Sequence, residues 1–209
     1  MELKHINDKI YCMKNLLFFL LIIFLLTQKG FSLEFYTQDD VNSAKESAFA
    51  LYKVNKEDEA LKILEEIPKK YKTEEMYLVL SNILEDKGDI PGAIKNLNYV
   101  IQLNPKSYKA YYNLGLLAIQ KNDINLATLN FKKAIKYKND FAPSNYNLAL
   151  CYFRKNNLKL AKKYFIKAIS YDAKNKDYYY NLALTYKALK NEKEAQKVLD
   201  TYNKMLGNI

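Results

Sequence analysis

The chain has 209 residues, enough for one globular domain or a short repeat array, and its 49% hydrophobic content excludes a disordered protein. Only five Gly and four Pro are present, which leaves few turn residues and favours helices. The net charge of +10 is unevenly distributed: residues 33–100 carry 9 Lys and 14 acidic residues, whereas residues 101–209 carry 20 basic and 7 acidic residues.

An apolar stretch near the N-terminus predicts an export signal. Leu16–Leu26 is a run of eleven apolar residues behind Lys14, which matches a signal peptide and is shorter than the roughly twenty residues of a membrane span. Small residues stand at alternate positions just before Leu33, as signal peptidase requires. We predict a signal peptide over residues 1–32, cleaved between Ser32 and Leu33.

Two alternatives concern this leader. Met13 is an alternative start of the chain, in which case residues 1–12 do not belong to the protein. An uncleaved N-terminal membrane anchor is the competing interpretation of the apolar stretch. Both interpretations place the rest of the chain outside the cytoplasmic membrane, so we expect an exported protein of the periplasm or cell envelope. Heavy use of Lys, Asn and Tyr indicates a bacterium with an AT-rich genome.

After a short lead-in at residues 33–40, the sequence repeats with a period of 34 residues. The stretch YYNLGL at residues 111–116 returns as NYNLAL at 145–150 and as YYNLAL at 179–184. A column of small residues has nearly the same spacing: Ala60, Ala93, Ala127, Ala161 and Ala195. Such a period is typical of a helical repeat array. The alignment gives five units, at about residues 41–73, 74–107, 108–141, 142–175 and 176–209.

Each unit is predicted to contain two amphipathic helices joined by a turn, because apolar residues recur at helical spacing on both sides of it. The turn carries residues that tolerate the left-handed conformation ending a helix: Asn55, Gly88, Asn122 and Asn156. The fifth unit has Lys190 in this column. Pro91 falls in the first turn of a second helix, where its missing N–H costs nothing. Asp39 or Asp40 is placed to cap the first helix.

These features resemble the tetratricopeptide repeat family, whose pattern is an aromatic residue, Leu-Gly, Tyr, and later Ala, Phe, Ala and Pro. The Leu column is Leu80, Leu114, Leu148 and Leu182, and the small column is Ser81, Gly115, Ala149 and Ala183. The aromatic column is Tyr77, Tyr111 and Tyr179, with Asn145 departing. The resemblance covers essentially everything after residue 40. It implies an all-α fold, a right-handed α-solenoid whose first helices line a concave face.

The resemblance also implies a non-enzymatic scaffold that binds a peptide or a partner helix on the concave face. Tyr offers rigid contact area with a polar tip, and the Asn amide offers both a donor and an acceptor to a peptide backbone. By analogy with the family, the expected contacts are Tyr112, Asn113, Leu116, Tyr146, Asn147, Leu150, Arg154, Tyr180, Asn181 and Lys187.

The inventory of reactive side chains agrees with a non-enzymatic role. After Ser32 the chain has no His, one Cys and four Gly. This excludes a Ser-His or Cys-His catalytic pair, a Cys/His zinc site and a glycine-rich phosphate loop. We expect no catalytic residue, metal or cofactor. The single thiol after the leader, Cys151, stands among apolar residues and is expected to be buried and inert.

Two further hypotheses concern other surfaces. Lysines on the second helices form a basic strip that suits an anionic membrane surface or an acidic envelope polymer: Lys132, Lys133, Lys136, Lys162, Lys163 and Lys167. Nucleic acid is not an expected partner of an exported protein. Apolar residues of the last helix are expected to leave surface exposed for self-association into a homo-oligomer: Val198, Leu199, Tyr202, Met205 and Leu206.

Overall fold

The computed structural model describes residues 37–207. The signal peptide, its cleavage between Ser32 and Leu33, and the alternative membrane anchor therefore lie outside the described residues. From Ala44 onward the chain forms one compact unit, and residues 37–43 are described separately. Within the described range, no helix is both long enough and apolar enough to cross a bilayer.

Ten α-helices and no β-strand make up the described range. They are α1 (Gln38–Lys53), α2 (Glu57–Glu66), α3 (Glu74–Asp86), α4 (Ile90–Leu103), α5 (Tyr108–Gln120), α6 (Ile124–Tyr137), α7 (Ala142–Arg154), α8 (Leu158–Tyr171), α9 (Lys176–Ala188) and α10 (Glu192–Met205). A short 3-10 helix, Lys69–Tyr71, follows α2. The helices α3 to α10 pack in pairs, and each pair packs on the next. This arrangement confirms the predicted α-solenoid.

The start of α1 differs from the prediction. The helix begins at Gln38, so Asp39 and Asp40 lie in its first turn rather than at its cap. Thr37 takes the capping position, because its hydroxyl accepts a hydrogen bond from the Asp40 N–H at 3.1 Å. The Asp40 carboxylate in turn accepts from the Thr37 N–H at 2.9 Å. This reciprocal pair is a capping box, with Asp40 in the role usually taken by Glu.

The turns between paired helices have the predicted conformation. Positive φ angles occur at Asn55 (58°), Gly88 (81°), Asn122 (57°), Asn156 (58°) and Lys190 (59°). Four of the second helices then begin after side chains that accept a hydrogen bond from the backbone: Asp89, Asp123, Asn157 and Asn191. The helix α2 has no such cap, because Lys56 precedes it. Pro91 lies in the first turn of α4, as predicted.

The core is built from the small and large columns of the repeat. All five alanines of the small column are completely buried, as are Phe131 and Phe165. A Cβ added to Gly115 would stand 2.5 Å from the Phe131 ring, so this close approach requires glycine. Leu80, Leu148 and Leu182 are buried, whereas Leu114 is only partly buried.

Asn145 stands in the aromatic column in place of a tyrosine, yet it makes the same hydrogen bond to the preceding loop as the tyrosines do. The phenol of Tyr111 donates to the carbonyl of Pro105 at 3.3 Å, and that of Tyr179 donates to the carbonyl of Ala173 at 3.2 Å. The Asn145 side chain donates to the carbonyl of Asn139, likewise six residues earlier, at 3.0 Å. The amide therefore ties down the loop between two units as the tyrosines do.

Candidate functional site

A groove of about 550 Å³ crosses the first helices of the N-terminal units. We call it the first-helix groove. Its lining combines apolar and polar side chains: Phe49, Glu75, Leu78, Val79, Asn82, Tyr108, Lys109, Tyr112, Asn113 and Phe141. These residues come from α1, α3 and α5, with Phe141 supplied by the start of α7.

Phe141 forms an aromatic wall of this groove. Its ring meets Tyr108 and Tyr112 edge-on, with both pairs of ring centroids 5.1 Å apart. Aromatic rings attract one another in this geometry. Because the wall is only partly buried, it presents apolar surface to the groove.

The position of Phe141 is unusual among the repeats. It stands at the N-cap of α7 and makes no side-chain capping bond. The same column holds Thr73, Ser107 and Asn175, each of which accepts a hydrogen bond from its helix. Losing such a cap costs about 1 kcal/mol. Unit three thus has a groove-lining ring where three other units have a stabilising cap.

Polar side chains line the groove beside the apolar ones. The Asn113 amide donates to the Asn82 side-chain oxygen at 3.0 Å, which joins α5 to α3. Glu75 and Lys109 are exposed, and neither forms an ion pair within residues 37–207. The groove therefore combines apolar side chains with one carboxylate, one ammonium group and a pair of amides.

Tyr112 and Tyr146 are half-buried, and each ring packs on the core phenylalanine of its own unit. The ring centroid of Tyr112 lies 5.9 Å from that of Phe131, and the ring of Tyr146 lies 5.7 Å from Phe165. Burial raises the pKa of both phenols. Each of these rings packs on the core through one side, so only part of it faces outward.

The asparagines that we expected to bind a ligand use their side-chain amides largely within the protein. Asn147 donates to the Tyr112 hydroxyl at 3.4 Å and to the Pro143 carbonyl at 3.0 Å. Asn181 likewise donates to the Tyr146 hydroxyl at 2.9 Å and to the Asp177 carbonyl at 2.9 Å. Both hydrogens of each amide are then occupied, since an Asn amide has two. What remains for a ligand is the amide oxygen and the phenol hydrogen.

Two tyrosine–asparagine pairs among the ten predicted contact residues are hydrogen-bonded, and the other residues have different surroundings. Tyr112 and Asn113 line the first-helix groove, whereas Leu116 and Leu150 pack against the core. Tyr180 is 43% exposed and its ring lies 5.4 Å from that of Tyr202. Arg154 and Lys187 are exposed at the ends of α7 and α9.

Sequence reasoning missed most of the groove lining, including Phe49, Val79, Tyr108 and Phe141. One signal was available in the 34-residue alignment. Phe141 shares a column with Thr73, Ser107 and Asn175, so an aromatic ring there breaks a pattern of capping residues.

Cys151 is completely buried, and burial raises the pKa of its thiol. A buried thiol of raised pKa is a poor nucleophile, which agrees with the inert role predicted for it. Within the described part of the chain, His, Cys, Asp and Glu do not gather in groups of three or more that suit a metal ion.

The predicted basic strip lies over tyrosine rings. Lys132 is 5.7 Å from the centroid of the Tyr152 ring, and Lys133 is 5.0 Å from that of Tyr111. The ion pairs of Lys56 with Glu59 and of Lys87 with Asp58 belong to the acidic half. The lysines of the strip therefore have no carboxylate partner in the described chain.

Helical hairpins stacked one on the next define an α-solenoid built from repeats. The sequence matches a TPR repeat model over residues 82–118 and a tetratricopeptide repeat model over 108–141, 142–175 and 176–204. Together these matches span more than half of the chain. The chain belongs to the tetratricopeptide repeat family. It is a protein-interaction scaffold, a class whose members are typically not enzymes.

Solved structures named MamA share this fold. MamA from Desulfovibrio magneticus RS-1, residues 41 to the end, superposes with a TM-score of 0.69 at 19% identity, covering 79% of this chain and 94% of that one. MamA AMB-1 gives 0.67 at 15% identity, with coverages of 83% and 95%. Another MamA crystal structure gives 0.68 at 23% identity, with coverages of 77% and 94%. No curated protein matches the sequence significantly.

Proposed function

We propose that this protein is an adaptor of the bacterial cell envelope that holds a peptide or a partner helix in the first-helix groove. The observation that carries the proposal is Phe141, an aromatic ring at a position where other units have a capping residue. A ring that replaces a stabilising cap and faces a groove is better explained by binding than by folding.

The groove suits a segment with one large apolar side chain. That side chain would lie on Leu78 and Val79, against the ring of Phe141. The backbone on either side would meet the free oxygen of Asn113 and the charges of Glu75 and Lys109. Because the repeats are rigid, the groove is ordered before binding, and the partner alone loses conformational freedom.

Export to the envelope is part of the proposal and rests on the apolar stretch behind Lys14. N-terminal sequencing of the protein from cells separates the alternatives. A chain beginning at Leu33 supports cleavage, whereas one beginning at Met1 or Met13 supports an uncleaved anchor.

Site-specific photocrosslinking tests the groove. Benzoylphenylalanine is introduced at position Lys109, in the lining of the groove, and separately at position Lys163 on α8. Both residues are exposed, so the two variants are matched in their effect on folding. A specific crosslinked protein obtained only from position Lys109 supports the groove, and one obtained only from position Lys163 contradicts it.

The basic strip supports a second candidate function, contact with an anionic membrane or envelope polymer. This function is supported by the observation that these lysines lack carboxylate partners within the described residues. Charge near an anionic surface contributes about 1 kcal/mol per lysine. Salt-sensitive binding to phosphatidylglycerol vesicles, lost when Lys132, Lys133 and Lys163 are changed to Glu, would support it. If the protein does not bind these vesicles even at low salt, this second function is contradicted.

A further inference from the structure

A second groove, of about 450 Å³, lies between the second helices α4 and α6, with α5 as its floor. We call it the second-helix groove. Its lining is apolar except at a few positions: Ile94, Asn98, Ile101, Tyr111, Leu114, Leu117, Ala118, Lys121, Leu126, Leu129, Asn130 and Lys133. It shares no lining residue with the first-helix groove.

Comparison with the next unit explains why this groove exists. In unit four, Tyr152 of α7 and Tyr164 of α8 stack with centroids 5.6 Å apart and an interplanar angle of 17°. The residues 34 positions earlier are Ala118 and Asn130, which both line the second-helix groove. The groove therefore occupies the place that two stacked phenol rings take in the following unit.

The polarity of α6 at this groove is inverted. Leu126 and Leu129 are 45% and 51% exposed, whereas Asn130 beside them is only 6% exposed. Within the described residues, the Asn130 side chain makes no hydrogen bond. An amide at a position that is mostly buried gains less from burial than an apolar side chain would, and half-exposed leucines bury only part of their apolar surface. Folding alone would favour the opposite arrangement.

The rim of the groove is positively charged. Lys121 and Lys133 line it and are exposed, and neither forms an ion pair with a carboxylate of the described chain. Lys133 lies 5.0 Å from the centroid of the Tyr111 ring. Two unpaired ammonium groups beside an apolar cleft favour a partner that carries carboxylates next to its apolar group.

We infer that the second-helix groove receives a tyrosine side chain from an acidic segment of a partner protein. The ring would fill the space left by Ala118 and Asn130 and would contact Leu126 and Leu129. Its hydroxyl would meet the Asn130 amide, which has no other partner. Carboxylates on either side of the tyrosine would pair with Lys121 and Lys133.

A short peptide, Glu-Glu-Tyr-Glu-Glu with blocked ends, tests this inference by NMR. We expect saturable shifts of the Asn130 side-chain amide signals. Replacing the peptide's tyrosine by phenylalanine should weaken binding about fivefold or more, because the amide stays unpaired. Replacing its glutamates by lysines should abolish binding. No saturable shift with the tyrosine peptide, or equal affinity for the phenylalanine peptide, would overturn the inference.

Two variants complete the test. The double substitution Ala118→Tyr with Asn130→Tyr copies the stacked pair of unit four and fills the groove, so binding should disappear. Asn130→Leu keeps the groove open but removes the amide, so the tyrosine and phenylalanine peptides should bind equally. Melting curves establish that each variant is folded. If a folded double variant still binds the tyrosine peptide as the unchanged protein does, the groove is not the site.

Discussion

The Asn181 side chain donates a hydrogen bond to the Tyr146 hydroxyl at 2.9 Å, across the boundary between units four and five. The equivalent bond from Asn147 to Tyr112 joins units three and four at 3.4 Å. These two residue types recur in the family pattern at the positions that we expected to contact a ligand. In the structure they first of all connect one repeat to the next.

Removing this connection should lower stability. We expect Tyr146→Phe to cost about 0.5–1.5 kcal/mol in the free energy of unfolding, because it breaks this one half-buried hydrogen bond. Asn181→Ala should cost more, because it also removes the bond to the Asp177 carbonyl. The double variant should cost less than the two single costs added together, since both remove the same bond. Urea denaturation of the four proteins measures this coupling. Strictly additive costs would mean that the bond contributes nothing.

Gly115→Ala should destabilise the protein although alanine is the better helix former. The new Cβ meets the buried Phe131 ring, and such overpacking costs about 1–3 kcal/mol. Ala149→Gly, at the same column of the next unit, is the control. It should cost about 1 kcal/mol through helix propensity alone. If Gly115→Ala proves as stable as the unchanged protein, the Phe131 ring does not lie close enough to position 115 to exclude a Cβ atom.

Lys190→Gly should stabilise the protein. Lys190 adopts a φ of 59°, where a side chain costs roughly 1–2 kcal/mol that glycine avoids. Lys187→Gly, inside α9, is the matched control and should destabilise by about 1 kcal/mol. Thermal melting of both variants distinguishes these effects. A lower melting temperature for Lys190→Gly would contradict the account of this turn.

Alkaline pH should unfold the protein in part through its buried phenols. Burial raises the pKa of Tyr112 and Tyr146 above the ordinary 10.0, so their neutral forms are favoured in the folded state. Their contribution to stability is complete below the unfolded pKa and is lost as pH rises through the folded pKa. We expect a melting temperature that falls above about pH 10, and less steeply in Tyr146→Phe. An identical slope in that variant would contradict this assignment.

The sequence predicted the fold well because the repeat is a local pattern. Asn and Gly turns, buried alanines and helix pairs follow from residue type and period, and even Lys190 was placed in its turn by alignment. Asn145 shows the limit: a departure from the aromatic column gave no hint that its amide would make the same loop hydrogen bond.

The candidate sites were harder to predict, because they arise where units differ. The alignment shows which residue types the units share. The shape of a groove depends instead on how residues from neighbouring units pack against one another. Asn147 and Asn181 matched a general binding pattern but use their amide hydrogens internally. Phe141, Ala118 and Asn130 could be recognised only as departures, and their consequences required the packed helices.

The most direct test of the first-helix groove is the affinity of the partner captured at position Lys109 for Phe141→Ser. Serine restores the capping residue found in the same column at Ser107, so the variant should keep its stability within about 1 kcal/mol. Ile166→Ser, on the exposed side of α8, is the control. We expect calorimetry to show that the partner binds Phe141→Ser at least about tenfold more weakly than the unchanged protein and binds the control variant with unchanged affinity. Equal affinity of the partner for a folded Phe141→Ser variant and the unchanged protein would contradict it.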